Sequence, residues 1–380
     1  MRRLDLTGLT TRPAQVWGGI RLVPLVRERP VEDLRLAAEL YTADLGVVRV
    51  NARTAYVSYI PHGFVADWTN DGSPAAAYGT HLRGTAGPHA APARVQMSSH
   101  RRLARRVDRN RLRFLPLHLA LEGYLALHFG GPEIAWAEWS RRAIDRGLSP
   151  RAEQAYTGTA VEGLQDALRI FEIHDGQCGV LVYASDTLAA AFAVPHPDDY
   201  RTLHPTLLHD LYGELIYHHA NYGGPVPDFL ARIADAAVHS LADLREQARS
   251  QQEEWATFHD TAMADGLLSA DYTFEHVHRL GDYRLSRFLP PFDRRRDNHI
   301  GEVITGPDGR LAYLKTFRLS DKQVRRGRLL TELAAHDWNL ARAAAALGLT
   351  EAALGLRIEA AGFGHLLRQD VLDRYRARRR

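Results

Sequence analysis

Asp210, Glu214 and His218 lie four residues apart, so on a helix they share one face. Carboxylate oxygens and an imidazole at that spacing can hold a divalent metal; the competing reading is a solvated or internally paired face. His196-Pro197-Asp198-Asp199 reads as a turn. Ser98, Ser99, Arg101 and Arg105 open a segment that continues through Arg102, Arg106, Arg109, Arg111 and Arg113. Guanidinium forks bind phosphate through paired hydrogen bonds, so this segment is a candidate anion site, or else the coat of an amphipathic helix. Further arginines gather at Arg294-Arg295-Arg296, at Arg325, Arg326 and Arg328, and from Arg374 to Arg380. The last two groups flank a helical segment and suit contacts to nucleic-acid phosphates.

Other chemistries lack their residues. No Gly-x-Gly-x-x-Gly follows a strand, and Walker-type, Cys-x-x-Cys and Gly-x-Ser-x-Gly motifs are missing, so no cofactor is expected. Cys178 is the only cysteine and sits in an apolar run, as a small hydrophobe would. The 380 residues are 45% hydrophobic and 24% charged with a net charge of +3, enough for two or three globular domains. No apolar run is long enough to span a bilayer, and the charged start Met1-Arg2-Arg3 is unlike a secretory signal. A cytoplasmic protein without membrane contact is expected.

The elements that must position these residues form an α+β pattern. Strands are expected at Trp17–Val26, Asp44–Val50, Ala55–Ile60 and Gly179–Ala184, the second and third as a hairpin. Helical spacing covers Ile134–Arg146, Glu153–Phe171 and Leu203–Ala220, the last stopped by Gly223-Gly224-Pro225. A long helix follows from Phe229 toward Ala264. Glu302–Thr305 and Arg310–Lys315 flank Gly306-Pro307-Asp308-Gly309, a hairpin turn. This gives an α+β body over 1–225, a helical connector with a small β-hairpin element over 226–320, and a trihelical end over 321–380.

That end is the most informative stretch. Leu329, Leu330 and Leu333 make an apolar stripe on its first helix. Asn339 caps a second, Gly348 allows a tight turn, and Thr350 caps a third whose Leu354 and Ile358 face inward. Gly362 ends it. Two short helices around a tight turn, braced by a third, form a reader of the DNA major groove. Asn339, Ala343, Ala344, Leu347, Gly348, Leu349, Leu354, Ile358, Gly362 and Phe363 together resemble the Fis-type helix-turn-helix of the bacterial inversion factor and of nitrogen-regulator-type activators. The resemblance implies DNA binding, here through Arg342, Thr350 and Arg357 with the flanking Arg325, Arg326, Arg328, Arg376 and Arg378, and action as a homodimer. The third helix departs from that family: Glu351 and Glu359 accompany Arg357, its one cation, and Gly355 lies inside it.

The opening strand at Gly19–Val26, the Met97–Arg113 segment, Gly179–Tyr183 and the following Phe192 resemble, more loosely, bacterial domains associated with ADP-ribosylglycohydrolase and rhodanese-phosphatase proteins. That resemblance implies recognition of a nucleotide-like ligand. The expected function is a transcriptional or defence-associated DNA-binding regulator whose body senses a small anionic ligand. The alternatives are an enzyme acting on a nucleotide or ADP-ribose-type substrate, with the helical end used for assembly, and a structural adaptor.

Overall fold

The computed structural model describes residues 2–32, 34, 46–51, 54–58, 64–68, 74–78, 81–83, 95–96, 161–227, 230, 232–280 and 282–377. The chain is α+β. Its strands are β1 (Thr10–Thr11), β2 (Gln15–Trp17), β3 (Ile20–Val26), β4 (Gly46–Asn51), β5 (Thr54–Ser58), β6 (Phe64–Trp68), β7 (Pro74–Tyr78), β8 (His81–Arg83), β9 (Val95–Gln96), β10 (Gln177–Ala184), β11 (Thr187–Ala193), β12 (Thr273–Leu280), β13 (Tyr283–Leu289), β14 (His299–Thr305) and β15 (Leu311–Arg318). The main helices are α1 (Pro197–Thr206), α2 (Gly213–Tyr222), α3 (Leu241–Phe258), α4 (Asp321–Ala335), α5 (Leu340–Ala346), α6 (Glu351–Ile358) and α7 (Gln369–Ala377).

Nine strands make one antiparallel sheet in the order β1-β3-β10-β11-β15-β14-β13-β12, with β2 also on β3. The expected hairpin of β4 and β5 is present and is extended by β8; β6, β7 and β9 form another small sheet. The central strands are buried on both sides, as a sheet covered on both faces requires. Alternation then sorts them. Val180 and Val182 of β10, with Tyr313 and Phe317 of β15, face one core, while Leu181, Tyr183 and Leu314 face the other. The first core continues without a break from Ile20 and Leu22 to Val324, Leu330, Leu333, Ala343, Leu354 and Ile358 of the C-terminal helices. The second is closed by Trp255 of α3 and by Leu4 and Leu6.

Three expectations change. The β14–β15 hairpin forms, with Gly309 at φ +80° in its turn, but it is not a separate small element. β15 pairs with β11, so residues from either side of position 225 complete one sheet. Every residue of β15 except Arg318 is buried, as befits a central strand with β14 on one edge and β11, which is distant in sequence, on the other. Second, the expected long helix starts only at Leu241, because the Ser240 Oγ accepts the Asp243 N–H and caps it there. It ends in a wide π-type turn at His259–Met263. Third, the helix expected over Leu203–Ala220 is two helices. Pro205, which has no N–H to donate, precedes another wide turn at Leu207–Leu211. Strands β12 and β13 were not expected. The readings on Ile134–Arg146, and on Ser98 to Arg113, lie outside the described residues.

Candidate functional site

Three consecutive arginines, Arg294, Arg295 and Arg296, lie on the turn between β13 and β14. Asp293 opens it: its Oδ1 accepts the Arg295 N–H at 2.9 Å, and its carbonyl accepts the Arg296 N–H at 3.3 Å. Asn298 braces it from below, its Nδ2 donating to the carbonyls of Asp293 and Arg296, both at 2.7 Å. Arg294, Arg295 and Arg296 are exposed on this held turn. They border a cleft of about 1080 Å³ that also contains Arg318, Phe258 and Asp265. Arg318 lies 2.8 Å from Asp297. A second notch, of about 580 Å³, is lined by Asp293, Arg294, Arg295 and Arg328 of α4.

Phe292 fastens the turn to α4. Phe292 has φ +53°, a backbone region costly for a bulky side chain, and it is buried. Its ring lies where a Cβ on Gly327 would fall, 2.2 Å from Phe292 Cε1. Gly327 therefore admits the ring, and the next residue of α4 is Arg328.

The C-terminal helices form with the caps expected of them. Ser320 and Gln323 make a capping box at α4. The Asn339 side chain accepts the Arg342 N–H at 3.0 Å, and the Thr350 Oγ1 accepts the Ala353 N–H at 3.1 Å. Gly348 and Gly362 have φ of +65° and +88°, as left-handed helix stops. Leu354 and Ile358 are buried, while Ala353 and Arg357 lie along the open side of α6 and Ala360 is exposed just beyond its end. Its opposite flank is covered by α7: the Tyr375 hydroxyl donates to Glu351 at 2.5 Å, and Arg376 pairs with Glu359.

The expected DNA-contacting arginines therefore divide. Arg325, Arg328 and Arg357 are exposed. Arg326 is structural, its Nε donating to the Ala361 carbonyl at 2.7 Å while its guanidinium lies 5.0 Å from the centre of the Phe363 ring. Arg342 lies 3.5 Å from Asp337, and Arg376 is shared between Glu359 and Asp373. Arg378, Ser98, Ser99, Arg101 and Arg105 lie outside the described residues, as does the side chain of Asp210. Glu214 and His218 both belong to α2; burial raises the Glu214 carboxyl and the nearby His218 eases it. Among the described residues no group of three His, Cys, Asp or Glu is arranged to hold a metal ion. His196 serves as the N-cap of α1, accepting the Asp198 N–H.

Two buried polar groups went unnoticed in the sequence. Tyr183 lies 2.7 Å from His259 Nε2, and His259 Nδ1 lies 2.8 Å from Asp260, linking a buried phenol to a half-exposed carboxylate. Lys315 and Glu302 stand opposite each other across β15 and β14, 3.2 Å apart and both fully buried. Burial pushes the Lys315 ammonium well below its ordinary range. It also pushes the Cys178 thiol up to about 11, consistent with an inert packing residue. Spacing in sequence could have found neither pair, because strand register brings Glu302 to Lys315 and tertiary packing brings Tyr183 to His259. Arg294-Arg295-Arg296 was legible as a cluster, but its meeting with Arg318 and Arg328 was not.

The family model described as ARPP-2 matches residues 4–281. The chain belongs to the ARPP-2 family. The ARPP-2 match runs from the first strands through β12 and stops before the arginine turn and the C-terminal helices. No curated protein and no solved structure matches the chain. Among the described residues no helix is long and apolar enough to cross a membrane.

Proposed function

We propose that this chain is a DNA-binding regulator, transcriptional or defence-associated, in which the ARPP-2 body senses a small anionic ligand and the C-terminal helices contact duplex DNA. The supporting observation is the geometry of α5, Gly348 and α6: two capped helices about a left-handed turn, with Ala353, Arg357 and Ala360 left open. Small residues let the helix approach a groove closely, and Arg357 supplies one long donor for a base edge. Arg325 and Arg328, exposed on the bracing helix, suit backbone phosphates. The looser resemblance of the body to ADP-ribosylglycohydrolase- and rhodanese-phosphatase-associated domains makes a nucleotide-like compound the ligand of first choice. A cytoplasmic homodimer belongs to this reading.

A second reading draws on α7. Because Tyr375 and Arg376 cover the Glu351 and Glu359 flank of α6, the helical end would serve assembly, and the cleft would hold a nucleotide or ADP-ribose-type substrate. Titrating full-length protein with random duplexes at two salt concentrations separates the two. A regulator binds, and its affinity falls steeply with salt as condensed counterions are released. No duplex binding at low ionic strength, with or without ADP-ribose, discards the regulator and leaves the assembly reading.

A further inference from the structure

We propose that the notch between the arginine turn and α4 is a binding site for a diphosphate-class anion, and that its occupancy fastens the C-terminal helices to the body. The site is new relative to the regulator reading; it rests on that reading only for its consequence at DNA.

Three guanidiniums from two separate elements face this notch: Arg294 and Arg295 from the turn, Arg328 from α4. None of the three has a carboxylate partner among the described residues. The remaining lining residue, Asp293, has its carboxylate committed to the turn, accepting the Arg295 N–H and lying 4.0 Å from Arg296. Three like charges around one concavity repel, and an anion that spans them removes the repulsion. Guanidinium forks match phosphate oxygens in pairs, and three forks exceed what a single phosphate uses well, so a diphosphate fits the charge and the donor count. Arg294 and Arg295 also border the larger cleft, so a substituent on the diphosphate has room to extend there.

The turn is preorganised for this. The Asp293 and Asn298 hydrogen bonds hold the backbone of residues 293–296 before any ligand arrives. Phe292 already joins turn and helix at Gly327, one residue before Arg328. A diphosphate spanning Arg295 and Arg328 closes the same junction from its solvent side. It opposes separation of α4 from the body and so biases the position of α5 and α6.

The test is calorimetric titration of the full chain with sodium pyrophosphate at low ionic strength, with orthophosphate in parallel. The proteins are wild type, R328Q, the double variant R294Q/R295Q, and R310Q as an exposed arginine outside the notch. The proposal expects saturable pyrophosphate binding with about one site per chain and weaker orthophosphate binding. Affinity should fall roughly tenfold or more in R328Q and in R294Q/R295Q and should hold in R310Q. Pyrophosphate should also slow hydrogen exchange of α4 amides in wild type but not in R328Q. Heats that do not saturate, or affinity that R328Q leaves intact, overturn the site. Unchanged exchange in α4 overturns the fastening. If the notch variants lose duplex binding while wild type shows no pyrophosphate binding, these arginines are duplex contacts and the anion site is wrong. If pyrophosphate binds as described and no duplex does, the site stands and the regulator reading alone falls.

Discussion

The ring of Tyr375 occupies the place where a side chain on Gly355 would be. A Cβ at that position would fall 2.3 Å from Tyr375 Cδ2, so the glycine inside α6 exists to let α7 dock. Gly355→Ala therefore sets two effects against each other. Alanine gains about 1 kcal/mol of helix propensity, whereas forcing a methyl into a packed ring costs about 1–3 kcal/mol. The clash wins, and urea denaturation should show a net loss of about 1 kcal/mol. Adding Tyr375→Ala should recover the propensity gain: the double variant should be more stable than Tyr375→Ala alone. If Gly355→Ala raises the urea midpoint, the close approach is not as described.

The Lys315–Glu302 pair gives a second expectation. Removing one partner of a fully buried ion pair leaves the other charge without compensation, at a cost of about 3–5 kcal/mol. Lys315→Met and Glu302→Leu should each destabilise by that order. The double variant should cost clearly less than the sum, because neither charge is left behind. A double-mutant cycle measures this directly, and additive losses would show that the two groups act separately.

Acid should weaken the fold through two imidazoles. Burial lowers His204 and His299 from 6.5 to about 4 in the folded chain. Between these values the unfolded chain binds more protons, so stability falls as pH drops from about 6.5 toward 4. Each group accounts for up to about 3 kcal/mol once the pH is below its folded value. Urea midpoints at pH 7 and pH 5 should differ accordingly, and His299→Leu should flatten the difference. An equally steep dependence in that variant would remove His299 from the account.

Arg357 and Arg376 should behave differently toward DNA. Arg357→Ala removes the one long donor on the open side of α6 and should erode discrimination between duplex sequences by about 1–3 kcal/mol. Arg376→Ala breaks a bond to Glu359 that holds α7, so its effect should appear in stability first. Competition binding against a preferred and a scrambled duplex distinguishes them. Equal weakening on both sequences by Arg357→Ala would make it a phosphate contact.

Local signals were legible in the sequence and long-range ones were not. Asn339, Thr350, Gly348 and Gly362 act within a few residues of themselves, and each does in the structure what its chemistry suggests. The β14–β15 turn at Gly306–Gly309 is local in the same sense. The pairing of Ala190 with Phe317 has no local cause: two short apolar strands far apart become neighbours because each has a row of backbone groups along one edge to pair. Strands β12 and β13 alternate charged and apolar residues irregularly, and their register shifts once between His276 and His278, which blurs their period. Gly355 and Gly327 look like weaknesses in helices until Tyr375 and Phe292 are in place. The arginine notch escaped for the same reason: its members come from a turn and from a helix some thirty residues further on.

The strand order has a consequence for synthesis. β11 leaves the ribosome well before β15, yet β15 is the strand that covers its free edge. Until β15 emerges, the nascent chain carries an apolar strand with unpaired backbone groups, a template for wrong partners. A fragment ending at residue 281, where the ARPP-2 match ends, keeps that edge permanently open and strands β12 away from the rest of its sheet. Such a fragment should aggregate where the whole chain does not, and folding in the cell should be slow enough to call on chaperones.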